Sequence, residues 1–157
     1  MMLNRFIQIT LLTCLMPLLV AAAEIPDYRL KDLGGIEHRV SDLRGKWLVI
    51  NFWASWCSPC LAEMPELERF YQNHKANAEV WGVTFEDSSK QNIVKFVRQL
   101  GVSYPILGYG QDPLTGYGQV KVLPTTFIID PEGLFFHRFE GPITSQDIID
   151  IIPDLAE

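Results

Sequence analysis

Cysteine and histidine are scarce in this 157-residue chain, which contains three of each. A structural zinc site needs four ligands, usually arranged as two closely spaced pairs. The chain offers one such pair, Cys57 and Cys60, while its histidines stand alone. The ligand count therefore argues against zinc. Basic clusters are also lacking, and a formal charge of −6 argues against nucleic acid or an anionic membrane surface as a partner.

The amino terminus has the composition of a secretory signal. Arg5 is the only charged residue before Glu24, residues 6–20 form an apolar run, and three alanines at 21–23 supply a small-residue cleavage site. Residues 1–23 are therefore predicted to be a signal peptide. The chain is predicted to be exported.

Two alternatives to cleavage concern the same segment. The apolar run approaches the length that spans a bilayer, so it can also serve as an uncleaved membrane anchor. The residues before Cys14 resemble a lipoprotein signal, in which Cys14 would carry the lipid. After cleavage, residues 24–157 form a 134-residue chain that has lost one positive charge with Arg5, so its formal charge is −7. That length fits one domain with its own core.

Cys57 and Cys60 lie where an apolar run at 47–53 is followed by a predicted helix. Pro59 fits the first turn of that helix, where a missing N–H group costs nothing. The free N–H groups of a first turn carry partial positive charge, which favours a thiolate over a thiol. Cys57 is therefore the expected nucleophile, and Cys60 is the expected resolving thiol.

Three other roles for the pair stay open at this point. An inert structural disulfide suits an exported protein, although a bridge across so few residues removes little chain entropy. A thiol peroxidase would need a threonine three residues before its cysteine, where this chain has Ala54. A metallochaperone or binding module would hold Cu(I) between the two thiols, with Met64 close in sequence.

The remaining pattern predicts one α/β domain: a hairpin, a strand, a helix, a strand, a helix, a strand–strand hairpin and a closing helix. A βαβ unit is thus followed by a ββα unit around one mixed sheet. The predicted hairpin covers 28–40; the strands cover 47–53, 79–85, 105–107, 125–130 and 134–140; and the helices cover 59–73, 90–100 and 144–154.

Helical spacing also predicts which side of the first helix faces the core. The predicted buried face consists of Leu61, Met64, Leu67 and Tyr71. Pro65 lies inside the helix and is expected to bend it, because it removes one backbone hydrogen bond.

The segment Trp56-Cys57-Ser58-Pro59-Cys60 closely resembles the thioredoxin-superfamily signature. The longer match resembles the TlpA/ResA-like branch of exported thiol–disulfide oxidoreductases and covers nearly the whole chain from residue 25. It implies a thioredoxin-like fold, with a central mixed β-sheet flanked by helices and an N-terminal β-hairpin. No cofactor is expected. The matching segments are 45–46, 51–56, 63–65, 123–127 and 129–133.

The resemblance also assigns roles to residues outside the cysteine pair. Pro124 matches a proline that is cis in this fold and faces the sulfurs, which would let the backbone of Leu123 pair with an extended substrate. Trp56, like Trp53, resembles the aromatic lining of the disulfide, although Trp53 fits simple packing equally well.

Asn51 occupies the position where cytoplasmic thioredoxins have a buried acid beneath the resolving cysteine, and its amide cannot relay a proton. Glu63 matches a glutamate that adjusts thiol acidity in this branch. The alternative for Glu63 is a solvated carboxylate on the helix surface.

The residue before the second cysteine indicates the direction of the reaction. Strong oxidants of this superfamily usually have histidine there, and this chain has Pro59, which favours a reductant or exchanger of protein disulfides. Such a protein in the periplasm would need a membrane-embedded dithiol electron donor. Branch members serve cytochrome c maturation, copper-site assembly or disulfide repair, and all three stay open.

Overall fold

The computed structural model describes residues 27–86, 90–108 and 115–155. The predicted signal peptide at 1–23 lies outside these residues. Within the described part, the predicted order of strands and helices is confirmed. The strands are β1 (Arg29–Lys31), β2 (Glu37–Arg39), β3 (Trp47–Trp53), β4 (Ala78–Thr84), β5 (Ile106–Gly108), β6 (Thr125–Ile129) and β7 (Phe135–Glu140), and the helices are α1 (Ser58–His74), α2 (Lys90–Gln99) and α3 (Ser145–Ile151).

Five strands form one mixed sheet in the order β5-β4-β3-β6-β7, and β1 pairs with β2 in a separate antiparallel hairpin. The central strand β3 is parallel to β4 and antiparallel to β6. All seven residues of β3 are buried. A strand covered on both faces is expected to be a nearly continuous apolar run, and in this segment Asn51 is the one polar residue.

Two apolar cores cover the two faces of the sheet. Alternate residues of β3 point to opposite faces, so Val49 belongs to one core and Ile50 to the other. The first core contains residues of all three helices, and the second contains Leu30 of the hairpin and Tyr117. This packing fixes α1 on the sheet, directly after the strand that delivers the cysteine pair.

The predicted buried face of α1 was rotated from the observed one. Leu61 and Tyr71 are only partly buried, whereas Phe70 is completely buried and was missed. The reason is Glu63, which lies on the buried face and interrupts the apolar periodicity there. The helix continues through Pro65, and the bend expected at that residue stays a prediction.

Two boundaries also differ from prediction. The hairpin was predicted to extend to residue 40, whereas β2 ends at Arg39 and a 3-10 helix follows at Val40–Leu43. The closing helix begins one residue later than predicted because Thr144 is its cap, accepting a hydrogen bond from the Asp147 N–H. It ends at Ile151, and a separate 3-10 helix follows at Pro153–Leu155.

Replacing Phe70 by alanine tests the observed face of α1. Phe70→Ala removes a side chain with no exposed surface and should lower the free energy of unfolding by about 3–5 kcal/mol. The neighbouring Tyr71→Ala is the matched control and should lower it by roughly 1–2 kcal/mol. Urea unfolding of the two oxidised variants measures both values. Equal losses would contradict the assigned face.

Candidate redox active site

Cys57 is the cap residue at the amino end of α1. Its sulfur accepts a hydrogen bond from the backbone N–H of Cys60 at 3.3 Å, and Pro59 lies in the first turn of the helix. The two sulfurs are bonded at 2.01 Å. No acidic residue lies in the first turn of α1. The Cys57 sulfur therefore lies at the positive end of a long helix, which favours its thiolate once the disulfide is reduced.

The two cysteines differ in their access to solvent. Cys57 is 6% exposed and Cys60 is fully buried. A groove of about 660 Å³ runs beside the disulfide and reaches Cys57 but not Cys60. Its other walls are Trp56, Ser58, Pro59, Phe85, Val120, Lys121, Val122 and Leu123.

The loop opposite Cys57 ends in a cis peptide bond between Leu123 and Pro124, as the family resemblance implies. The hydroxyl of Thr125 donates to the carbonyl of Val122 at 2.7 Å and closes the turn. Leu123 lines the groove. Its backbone pairing with a substrate stays a prediction.

The two tryptophans near the cysteines have different surroundings. Trp56 is 71% exposed and lines the groove. Trp53 is completely buried, and its ring stacks on Phe96 with the ring centroids 6.3 Å apart. Of the two readings offered for Trp53, simple packing is the one that fits.

Glu63 is buried beneath the active-site helix, with 2% of its surface exposed. The Asn51 amide donates to its Oε1 at 2.7 Å, and the backbone N–H of Ile143 donates to its Oε2 at 2.9 Å. The reading of Glu63 as a solvated carboxylate is therefore wrong. Burial raises its pKa to about 7, against the opposing effect of the hydrogen bonds from Ile143 and Asn51.

Asn51 holds this carboxylate against the sheet. Its Nδ2 atom also donates to the hydroxyl of Thr126 at 2.9 Å, so both amide hydrogens are bonded. Thr126 lies opposite Asn51 in the β3–β6 register. Asn51 carries no ionisable proton, and the group that titrates at this junction is Glu63.

Sequence reasoning missed a contact between Glu86 and the residue two positions before Cys57. The Glu86 carboxylate accepts from the backbone N–H of Ser55 at 3.0 Å and from its hydroxyl at 2.6 Å. In the sequence Glu86 is one acid among many. The parallel register of β3 and β4 pairs Trp53 with Thr84, so residues just beyond both strand ends become neighbours. That register is the signal that could have found the contact.

Within the three described ranges, no group of three or more histidine, cysteine, aspartate or glutamate side chains is placed to hold a metal ion. In the same part of the chain, no helix combines the length and the apolar character needed to cross a membrane.

The fold and the cysteine pair define a thioredoxin-like thiol–disulfide oxidoreductase. The chain belongs to the AhpC/TSA family, whose model matches residues 21–137. It is 42% identical over 125 residues to a thiol-disulfide oxidoreductase ResA of Geobacillus thermodenitrificans, covering 78% of this chain and 71% of the relative.

Two solved structures are also similar to the chain. A secreted thiol-disulfide isomerase from Corynebacterium glutamicum matches with a TM-score of 0.75 and 27% identity, over 85% of this chain and 86% of that one. A DsbF homologue from Corynebacterium diphtheriae matches with a TM-score of 0.75 and 27% identity, over 83% and 85%. The TlpA/ResA-like assignment and the thioredoxin-like fold are confirmed.

The raised pKa of Glu63 predicts a pH dependence of stability. Its pKa is about 7 in the folded chain against an ordinary value of 4.5, so the folded state holds this proton more tightly than the unfolded state. The contribution of Glu63 to the free energy of unfolding should therefore be fully present below about pH 4.5 and be lost as pH rises through about 7, by roughly 3 kcal/mol in total.

Comparison with Glu63→Gln isolates that contribution. Urea unfolding of the oxidised wild-type protein and of Glu63→Gln at pH 5 and pH 8 measures it. The altered hydrogen bonds of Glu63→Gln should change its free energy of unfolding by the same amount at both pH values. The variant should not show the decrease in free energy of unfolding between pH 5 and pH 8 that ionisation of Glu63 causes in the wild-type protein. Parallel curves for the two proteins would show that the carboxylate does not titrate in this range.

Proposed function

We propose that this chain is an exported reductant or exchanger of protein disulfides, in which Cys57 attacks and Cys60 resolves. The observation that carries the proposal is the difference in access: the groove reaches the Cys57 sulfur, while Cys60 is buried one helical turn away. A protein disulfide bound in the groove can therefore contact the Cys57 sulfur. The Cys60 sulfur is buried and reacts only in the second step.

The exchange proceeds in two balanced steps. The Cys57 thiolate attacks one sulfur of the substrate disulfide, the substrate S–S bond breaks, and the displaced sulfur leaves as a thiolate that takes a proton from solvent. The Cys60 thiolate, having lost its own proton, then attacks the Cys57 sulfur and displaces the second substrate thiolate. The substrate gains two electrons and two protons, and the Cys57–Cys60 disulfide is formed.

Glu63 adjusts the acidity of these thiols in the proposed cycle. It lies one helical turn after Cys60, and both side chains are on the buried face of α1. A carboxylate that ionises near neutral pH opposes formation of a nearby thiolate. Asn51 and the Ile143 N–H hold it in place. Trp56 supplies one wall of the substrate groove, and Leu123, which precedes Pro124 in the loop opposite Cys57, supplies another.

The proposed direction of electron transfer and the proposed compartment rest on features of the sequence. Pro59 before the second cysteine supports a reductant or exchanger. The signal-like residues 1–23 support export to the periplasm, by cleavage, by retention as an anchor or by lipidation at Cys14. A reductant in that compartment requires a membrane dithiol donor. Cytochrome c maturation, copper-site assembly and disulfide repair are all candidate services, because members of the TlpA/ResA-like branch serve each of them.

Removing the resolving thiol tests the two roles. Cys60→Ala should accumulate a mixed disulfide through Cys57 when the reduced protein meets a disulfide-containing protein, because the step that releases the substrate is lost. Non-reducing electrophoresis and mass spectrometry measure the trapped species. Cys57→Ala is the matched control and should trap little, because its remaining sulfur is buried.

In the reduced wild-type protein at pH 7, we expect Cys57 to be alkylated rapidly and before Cys60. Redox titration of the protein against glutathione should give one two-electron transition. If Cys60 is alkylated first while Cys57 is inert, the assignment of roles is wrong. If neither variant nor the wild-type protein exchanges with any disulfide, the proposed function fails.

The role of Glu63 predicts a shift in the thiol titration. In the reduced protein, Glu63→Gln should lower the pH at which the thiols ionise by roughly one unit, because a neutral amide no longer opposes the thiolate. The rate of iodoacetamide alkylation as a function of pH measures the shift. Glu66→Gln, on the same helix but paired with Arg69, is the control and should leave the titration unchanged. An unchanged curve for Glu63→Gln would remove Glu63 from the mechanism.

A further inference from the structure

The groove beside Cys57 contains a single charged side chain. Of its nine lining residues, Lys121 alone carries a charge, and the others are apolar or neutral. Lys121 is exposed, and among the described residues no carboxylate forms an ion pair with it. Two exposed apolar side chains, Trp56 and Val122, line the same groove. A segment that fills it would bury apolar surface and meet one free ammonium group.

The amino end of α1 adds positive potential to the same groove. Ser58 and Pro59, the first two residues of the helix, form part of its wall, and no acid lies in the first turn. Glu86, which follows the groove residue Phe85, is not part of the wall and directs both carboxylate oxygens to Ser55. The groove is therefore positive on a chain whose formal charge is −6.

We propose that Lys121 is a specificity-determining residue, and that the groove selects extended, apolar protein segments with an acidic side chain next to the reactive cysteine. This inference rests on the proposed function. A carboxylate in the segment would pair with Lys121 while apolar neighbours cover Trp56 and Val122. A segment with a basic residue at that position would meet like charge and be disfavoured.

A set of three peptides tests the selection. The peptides share one apolar sequence around a cysteine activated as its 2-thiopyridyl disulfide, and they differ only in having Glu, Gln or Lys beside that cysteine. Each reacts with reduced Cys60→Ala protein, in which Cys57 displaces thiopyridone and the absorbance of the released group gives the rate. The measured quantity is the ratio of the Glu-peptide rate to the Lys-peptide rate, which cancels any change in the intrinsic reactivity of Cys57.

Charge reversal at Lys121 should change this ratio strongly. Because an exposed ion pair is weak, exchanging attraction for repulsion in Lys121→Glu should lower the Glu-to-Lys rate ratio about tenfold, with the rate of the Gln peptide between those of the other two. The effect should shrink in 0.5 M salt, because exposed charges are then screened. Lys95→Glu makes the same charge change on α2, outside the groove, and should leave the ratio within about twofold.

The two proposals fail in different ways. A Glu-to-Lys ratio that is the same in Lys121→Glu and in the parent overturns the selection by Lys121, while the mixed disulfides still form. An equal decrease of the Glu-to-Lys rate ratio in Lys95→Glu also contradicts selection by Lys121, because the overall charge of the protein would then cause the effect. If none of the peptides reacts through Cys57, the proposed function itself fails.

Discussion

The active site depends on a carboxylate buried where three parts of the chain meet. Glu63 of α1 accepts hydrogen bonds from Asn51 of β3 and from the backbone of Ile143, just before α3. A buried carboxylate without partners would cost several kcal/mol. The two hydrogen bonds make the charged form tolerable without restoring an ordinary pKa, which burial raises to about 7. The helix that carries both sulfurs is therefore held to the sheet by a group whose charge changes near neutral pH.

In the proposed mechanism, two opposing fields act on the cysteine pair. The amino end of α1 favours a thiolate at Cys57, an effect worth typically 0.3–1 kcal/mol. The ionised form of Glu63 acts from the buried face, where screening is weaker, and one pKa unit there corresponds to about 1.4 kcal/mol. The helix end is nearest to Cys57, and Glu63 shares its face with Cys60. The two fields would then reinforce the difference in access, and we expect Cys57, which lines the groove, to ionise more readily than the buried Cys60.

Much of this architecture could be predicted from the sequence because local patterns carry it. The nearly continuous apolar run of β3 and the placement of Cys57 and Pro59 at the start of a helix are examples. What could not be predicted depends on register or on an exception to patterning. From its charge alone Glu63 fits a solvated helix surface, since a carboxylate is rarely buried, and only the family resemblance pointed to a role at the thiols. The apolar face predicted without Glu63 omitted Phe70. The bond between Glu86 and Ser55 follows only from the pairing of β3 with β4.

Recognition and redox chemistry are carried by different parts of the site. Glu63 is tied to the sheet and to the segment before α3, so any change to it alters stability, thiol acidity and helix position together. Lys121 lies on the open wall of the groove and forms no ion pair within the described residues. Its charge can be altered with little effect on the core, because nothing buried depends on it. Under the two proposals, a change of charge at the rim of the groove would alter substrate preference, while the buried junction that adjusts the acidity of the sulfurs would stay unchanged.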